Sequence, residues 1–109
     1  MASYIISKEI NITRQEGDTA DVVFNVPSIL DMSPFTEVKF QVKSGSATII
    51  SKSLSGSSIS VSGQVITIAL AASDTKGKAS GRWELEVSAD SDIKTIGRGD
   101  FNIIPELIK

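Results

Sequence analysis

A chain of 109 residues with 40% hydrophobic and 22% charged side chains has the apolar material for one buried core and too little length for two. Its formal net charge of −2 gives no long-range attraction for phosphates, and no basic patch stands out, so nucleic acid is excluded as an expected partner. The lack of cysteine removes disulfides, thiolate nucleophiles and cysteine-based zinc sites; the lack of histidine removes Ser-His pairs, His-ligated metals and the side chain that ordinarily titrates near neutrality.

The opening MASYIISKEI has no basic start followed by a long apolar run and a small-residue cleavage site, so it does not read as a signal peptide. Ile10 to Gln15 is the first predicted strand, closed by the turn formers of EGDT, Glu16 to Thr19. VVFNV follows, with Val22, Phe24 and Val26 on one side. EVKFQVK alternates most clearly: Val38, Phe40 and Val42 point one way, and Glu37, Lys39, Gln41 and Lys43 the other. Pro27 and Pro34 lie at the ends of these strands, where a missing N–H breaks no ladder bond.

Thr48 to Leu54, Ser58 to Ser62 and Val65 to Leu70 are shorter β-branched stretches separated by SGS and SGQ turns. The run Val65 to Ala72 is far short of the roughly 20 residues that a membrane helix needs, so a soluble chain without a membrane partner is expected. LAASDTKGKASG, Leu70 to Gly81, reads as a loop crossing between sheets with room for one turn of helix. RWELEVS then places Trp83, Leu85 and Val87 inward against Arg82, Glu84 and Glu86. After the ADSD turn, Ile93 to Gly97 and Phe101 to Ile104 read as two final strands before Pro105.

Seven to nine short strands in about a hundred residues cannot form one open sheet without leaving an apolar face wet. The expected fold is therefore all-β, an immunoglobulin-like antiparallel β-sandwich forming a single domain over residues 1–109.

Few residues suggest chemistry. Arg98-Gly99-Asp100 matches an integrin-binding tripeptide, but such a ligand needs a projecting loop tip. Here Ile96 and Phe101 flank it closely, so Gly97 and Gly99 are read as allowing a bulge or kink within one continuing strand, or a tight bend. Asn11-Ile12-Thr13 matches a glycosylation acceptor and is read as strand. Asp90 with Asp92, and Asp18 with Asp21, lack the spacing of a calcium loop and are read as turn stabilisers. Glu84 and Glu86 share an exposed strand face, and Trp83 alternates with core residues rather than forming a sugar-stacking platform. No glycine-rich phosphate loop is found. No residue is assigned as catalytic, cofactor-binding or metal-ligating, and neither an enzymatic activity, a cofactor nor a small-molecule substrate is expected.

Two stretches carry a resemblance. INITRQEGDTADVVFNV, Ile10 to Val26, with ILDMSPFTEVKFQVK after it, resembles the opening of small β-sandwich domains of tailed-phage structural proteins, where a Gly-Asp-Thr turn precedes one strand and a further Asp-containing turn the next. LAASDTKGKASGRWELEVSADSDIKTIGRGDFNIIPE resembles their closing half, through Asp74, Thr75, Gly81, Trp83, Asp90, Asp92, Gly99, Phe101 and Ile103. The family includes the N-terminal domain of phage baseplate upper proteins. The resemblance implies a phage or prophage virion component of tail, baseplate or neck. It would be made in the bacterial cytoplasm and would dock onto other virion proteins and onto itself as a homo-oligomer. The alternative on the same sandwich is a carbohydrate-binding or adhesion module, which would use exposed Trp83 and Tyr4.

Overall fold

The computed structural model describes residues 2–5, 9–27, 32, 34–90 and 92–105; the Asp-containing turn expected around residues 30–33 falls mostly outside them. In chain order the strands are β1 (Ala2–Ile5), β2 (Ile12–Gln15), β3 (Val22–Asn25), β4 (Glu37–Ser44), β5 (Ala47–Ser53), β6 (Ile59–Ser62), β7 (Val65–Ile68), β8 (Gly81–Ala89) and β9 (Asp92–Ile104). A single helical turn, α1 (Ala72–Thr75), lies in the crossing between β7 and β8, within the stretch expected to have room for it.

Backbone pairing sorts the strands into two sheets, β1-β3-β7-β6 and β2-β9-β8-β4-β5. This is the partition of an immunoglobulin-like sandwich, with the last two strands central in the larger sheet. Neighbours are antiparallel except at two places: β1 runs parallel to β3, and β2 runs parallel to β9. Both exceptions belong to the N-terminal segment, which gives one strand to each sheet and so links the layers. β1 was not anticipated from the sequence.

Burial follows the period-two pattern. Val38, Phe40 and Val42 of β4, Trp83, Leu85 and Val87 of β8, and Val22 and Phe24 of β3 are all buried, and Ile66, Ile68 and Phe101 complete the layer between the sheets. Trp83 lies at its centre, stacked 5.1 Å from Phe24 on the opposite sheet and 5.9 Å from Phe40 on its own. Phe40 also meets Phe101 edge-on at 6.3 Å. Each such ring pair adds about 0.5–1.5 kcal/mol to the hydrophobic gain.

The closing stretches Ile93 to Gly97 and Phe101 to Ile104 form one continuing strand with a bulge, the first of the two readings given to the glycines between them. β9 runs unbroken from Asp92 to Ile104 beside β8, with Leu85 opposite Gly97 and Glu86 opposite Thr95. Ile96 is therefore the extra residue of a β-bulge, so the kink falls one residue before the glycines that were expected to supply it. A second bulge lies on β5, where Val42 pairs with Ile50 and Lys43 with Thr48, leaving Ile49 over.

Gly99 has a different use. The chain leading into β2 crosses directly over it, and a methyl group at Gly99 would overlap the carbonyl of Ile10. That carbonyl accepts the Trp83 indole N–H at 2.8 Å, while the Ile10 N–H donates to the Arg98 carbonyl at 2.9 Å. The Asn11 Oδ1 accepts the Asp100 N–H at 3.1 Å and completes the clasp. At the other end of β2, Arg14 is buried on the inward face. One Nη donates to the Ala20 carbonyl, and Nε has no partner.

Three outcomes follow from this packing. Gly99→Ala should destabilise the fold by about 2 kcal/mol or more, because backbone and not a flexible side chain must yield; urea unfolding measures it. Arg14→Met should leave stability within about 1 kcal/mol of the wild type or raise it, since it removes a buried cation that has no carboxylate partner among the described residues; the same titration reads the sign. Glu37 supplies the pH dependence. Hydrogen bonds from the Ser55 side chain and backbone hold its carboxyl below the ordinary value of 4.5, with the Val38 N–H adding to them. A folded-state pKa below the unfolded one stabilises above the unfolded value and is lost as pH falls through the folded one. Glu37→Gln should therefore melt below the wild type at neutral pH, and the gap should close in acid, as thermal scans across pH will test.

Candidate functional site

The two sheets differ in charge. β1, β3, β6 and β7 contain no Asp, Glu, Lys or Arg at all, whereas every strand of the five-stranded sheet carries at least one. The charged residues of β4, β8 and β9 alternate with buried ones, so they gather on the outward face of that sheet. Lys39 lies opposite Glu86, Gln41 opposite Glu84, and Glu84 opposite Arg98. Lys39–Glu86 and Glu84–Arg98 set opposite charges side by side, an arrangement that favours the sheet.

One juxtaposition is of like charge: Lys43 faces Arg82 across β4 and β8. Arg82 is offset by two carboxylates, donating to Glu9 at 3.0 Å and to Asp100 at 2.7 Å. Its hydrogen bond with Glu9, and then that with Asp100, raise the guanidinium pKa above its ordinary value, so it stays charged. Lys43, Arg82, Glu84 and Arg98 rim an open depression of about 200 Å³ with Gln41 at its edge. A second, of about 160 Å³, lies between Lys39, Gln41, Glu84 and Glu86. The surface is therefore a shallow mosaic of both signs, a form suited to contact with another protein surface.

The Arg-Gly-Asp tripeptide lies in the middle of β9, paired to β8 on one side and held by Ile10 and Asn11 on the other. Arg98 is exposed, Gly99 is buried beneath the N-terminal crossing, and the Asp100 carboxylate is occupied by Arg82. It is a stretch of extended backbone, not a loop tip. Asn11 of the glycosylation pattern is an exposed residue whose amide oxygen holds Asp100.

The remaining candidates are dispersed. Asp90 takes a positive φ of 52° in the β8–β9 turn, and Asp92 begins β9. Asp18 lies near the opposite end, where the Asp18 N–H donates to the Gln15 carbonyl. Among the described residues no three acidic side chains gather in a way that would hold a metal ion. Trp83 is fully buried, which removes it as a platform for a sugar ring, and the Tyr4 side chain falls outside the described residues.

Several structural roles escaped sequence reasoning. Thr75 is buried in α1 and its Oγ1 accepts the Gly17 N–H at 2.8 Å, while Glu16 accepts the Gly77 N–H at 2.6 Å. Together they fasten the first turn to the crossing loop. Lys52 of β5 bridges Asp74 at 2.8 Å and secures that loop from the other side. Only Arg14 left a trace, since in Ile12-Thr13-Arg14 the alternation itself points the cation inward.

No family model and no curated protein matches this sequence. Among solved structures, the N-terminal domain of phage TP901-1 ORF48 superimposes with a TM-score of 0.62 at 6% identity, over 94% of this chain and 98% of that one. The chain thus has the fold of a small β-sandwich domain of a phage protein, the kind of domain that its turn and core residues resemble.

Proposed function

We propose that this domain is a structural part of a phage or prophage virion, belonging to tail, baseplate or neck, and that it works by docking onto neighbouring virion proteins and copies of itself. The observation that carries the reading is the near-complete mutual coverage with the phage TP901-1 ORF48 domain: the two match as whole domains, with almost nothing left over on either side. The surface supports a docking role, because its charged residues form an open mosaic, while Phe24, Phe40, Trp83 and Phe101 are committed to the core and Phe35 packs against it. On this reading the chain performs no catalysis and needs no cofactor, nucleic acid, membrane or small molecule. It is made in the host cytoplasm and ends in the particle.

Mass spectrometry of particles purified from the producing host should find the chain at a fixed ratio to other virion proteins. Native mass spectrometry of the isolated chain should show self-association as its concentration rises. A chain missing from purified particles, and strictly monomeric at high concentration, would overturn the proposal.

A further inference from the structure

We infer that the free edge of β6 is the contact by which two copies of this chain pair, antiparallel and about a two-fold axis, to make one continuous eight-stranded sheet. The inference rests on the assembling role proposed above and specifies the surface. β6 closes one side of the four-stranded sheet, and among the described residues no strand pairs with its outer side. An edge strand exposes a row of unpaired N–H and C=O groups and ordinarily carries a guard such as a charge, a proline or a bulge. β6, with the sequence Ile-Ser-Val-Ser, has none of these.

The contrast lies on the same molecule. β5 closes the five-stranded sheet with both devices, the bulge at Ile49 and the cation Lys52. Of these two edges β5 is thus guarded and β6 open, although β6 follows β5 directly in the chain.

The open edge is also held ready. The Ala69 N–H donates to the Ser58 carbonyl at 2.9 Å, the Ser58 N–H to the Ser53 carbonyl at 3.3 Å, and the Glu37 carboxylate fixes the turn at Ser55. Val61 faces the interior, level with Ile66 of β7, yet stays half-exposed, and among the described residues no strand lies beyond it.

A second copy fits this edge better than a charged partner does. Pairing about Val61 sets Val61 against its own copy and Ser60 against the copy's Ser62. It covers the exposed flank of the core and removes no charge from water. Because sheets twist the same way, two identical edges continue one another. Four residues a side make a small contact, weak for two free chains and strengthened where copies are held side by side.

Sedimentation equilibrium over a wide concentration range tests this with the wild type, Ser60→Lys/Ser62→Lys and, on the guarded edge, Ser51→Lys. Both β6 serines are exposed, so the lysines should leave the melting temperature unchanged; Ser62→Lys alone is the fallback if the pair impairs folding. The wild type and Ser51→Lys should form dimers. Lysines on β6 should weaken dimerisation by roughly tenfold or more, because each would lie opposite another across the two-fold. A wild type that stays monomeric throughout, a β6 variant that dimerises equally well, or loss of a foreign partner instead of the dimer would overturn the self-pairing. Recovery of the chain from purified particles is a separate readout, so the virion role stands or falls independently of this edge.

Discussion

The Ile10 carbonyl lies between two residues that the rest of the fold depends on. Below it, Gly99 leaves the space that any side chain would fill; beside it, the Trp83 indole supplies the hydrogen bond that this oxygen would otherwise lose on burial. Through this one contact the incoming chain is laid along β9 in parallel register, with Ile12 opposite Phe101 and Arg14 opposite Ile103. Trp83 in turn stacks on Phe24 of the facing sheet, so the atom that seats the N-terminal segment belongs to the side chain that joins the two layers. The same side chain thus serves both the contact between the layers and the seating of β2. The same contact explains why an Arg-Gly-Asp sequence has become structural: its glycine accommodates the crossing and its aspartate is paired with Arg82.

Around this centre, charge is segregated by sheet. The larger sheet presents alternating cations and anions on its outward face, and the smaller sheet contains none. The outward positions of the smaller sheet are uncharged, Ser60 and Ser62 of β6, Val65 and Thr67 of β7 and Val23 and Asn25 of β3, so covering that face takes no charge out of water. The charged face is costlier to dry. The two faces thus differ in what they cost to cover. Both mosaic depressions are open and shallow, and the largest side chains are spent on the interior.

The fold was legible because its signal is local. In EVKFQVK and RWELEVS each residue's facing is decided by its immediate neighbours, and all six apolar positions proved buried. The glycine and aspartate turns were legible for the same reason, since a backbone that must reverse in few residues selects them. Residues acting over long sequence distances were not legible. Nothing near Asn11 indicates that its amide holds Asp100, nothing near Thr75 indicates that it caps Gly17, and the bulge at Ile96 depends on the register of β8 opposite. β1 is too short to show alternation before it ends, and only its pairing with β3 defines it.

From its own sequence this chain determined that it would be an all-β sandwich without imidazole or thiol chemistry, because alternation and composition are properties of a segment or a sum and need no partner to be read. Tertiary structure alone decided which strands became edges, which edge was guarded, where the tripeptide lay and which carbonyl Trp83 would satisfy. Those outcomes depend on distances between residues as many as 89 positions apart, such as Asn11 and Asp100, and such distances exist only once the sheets have formed.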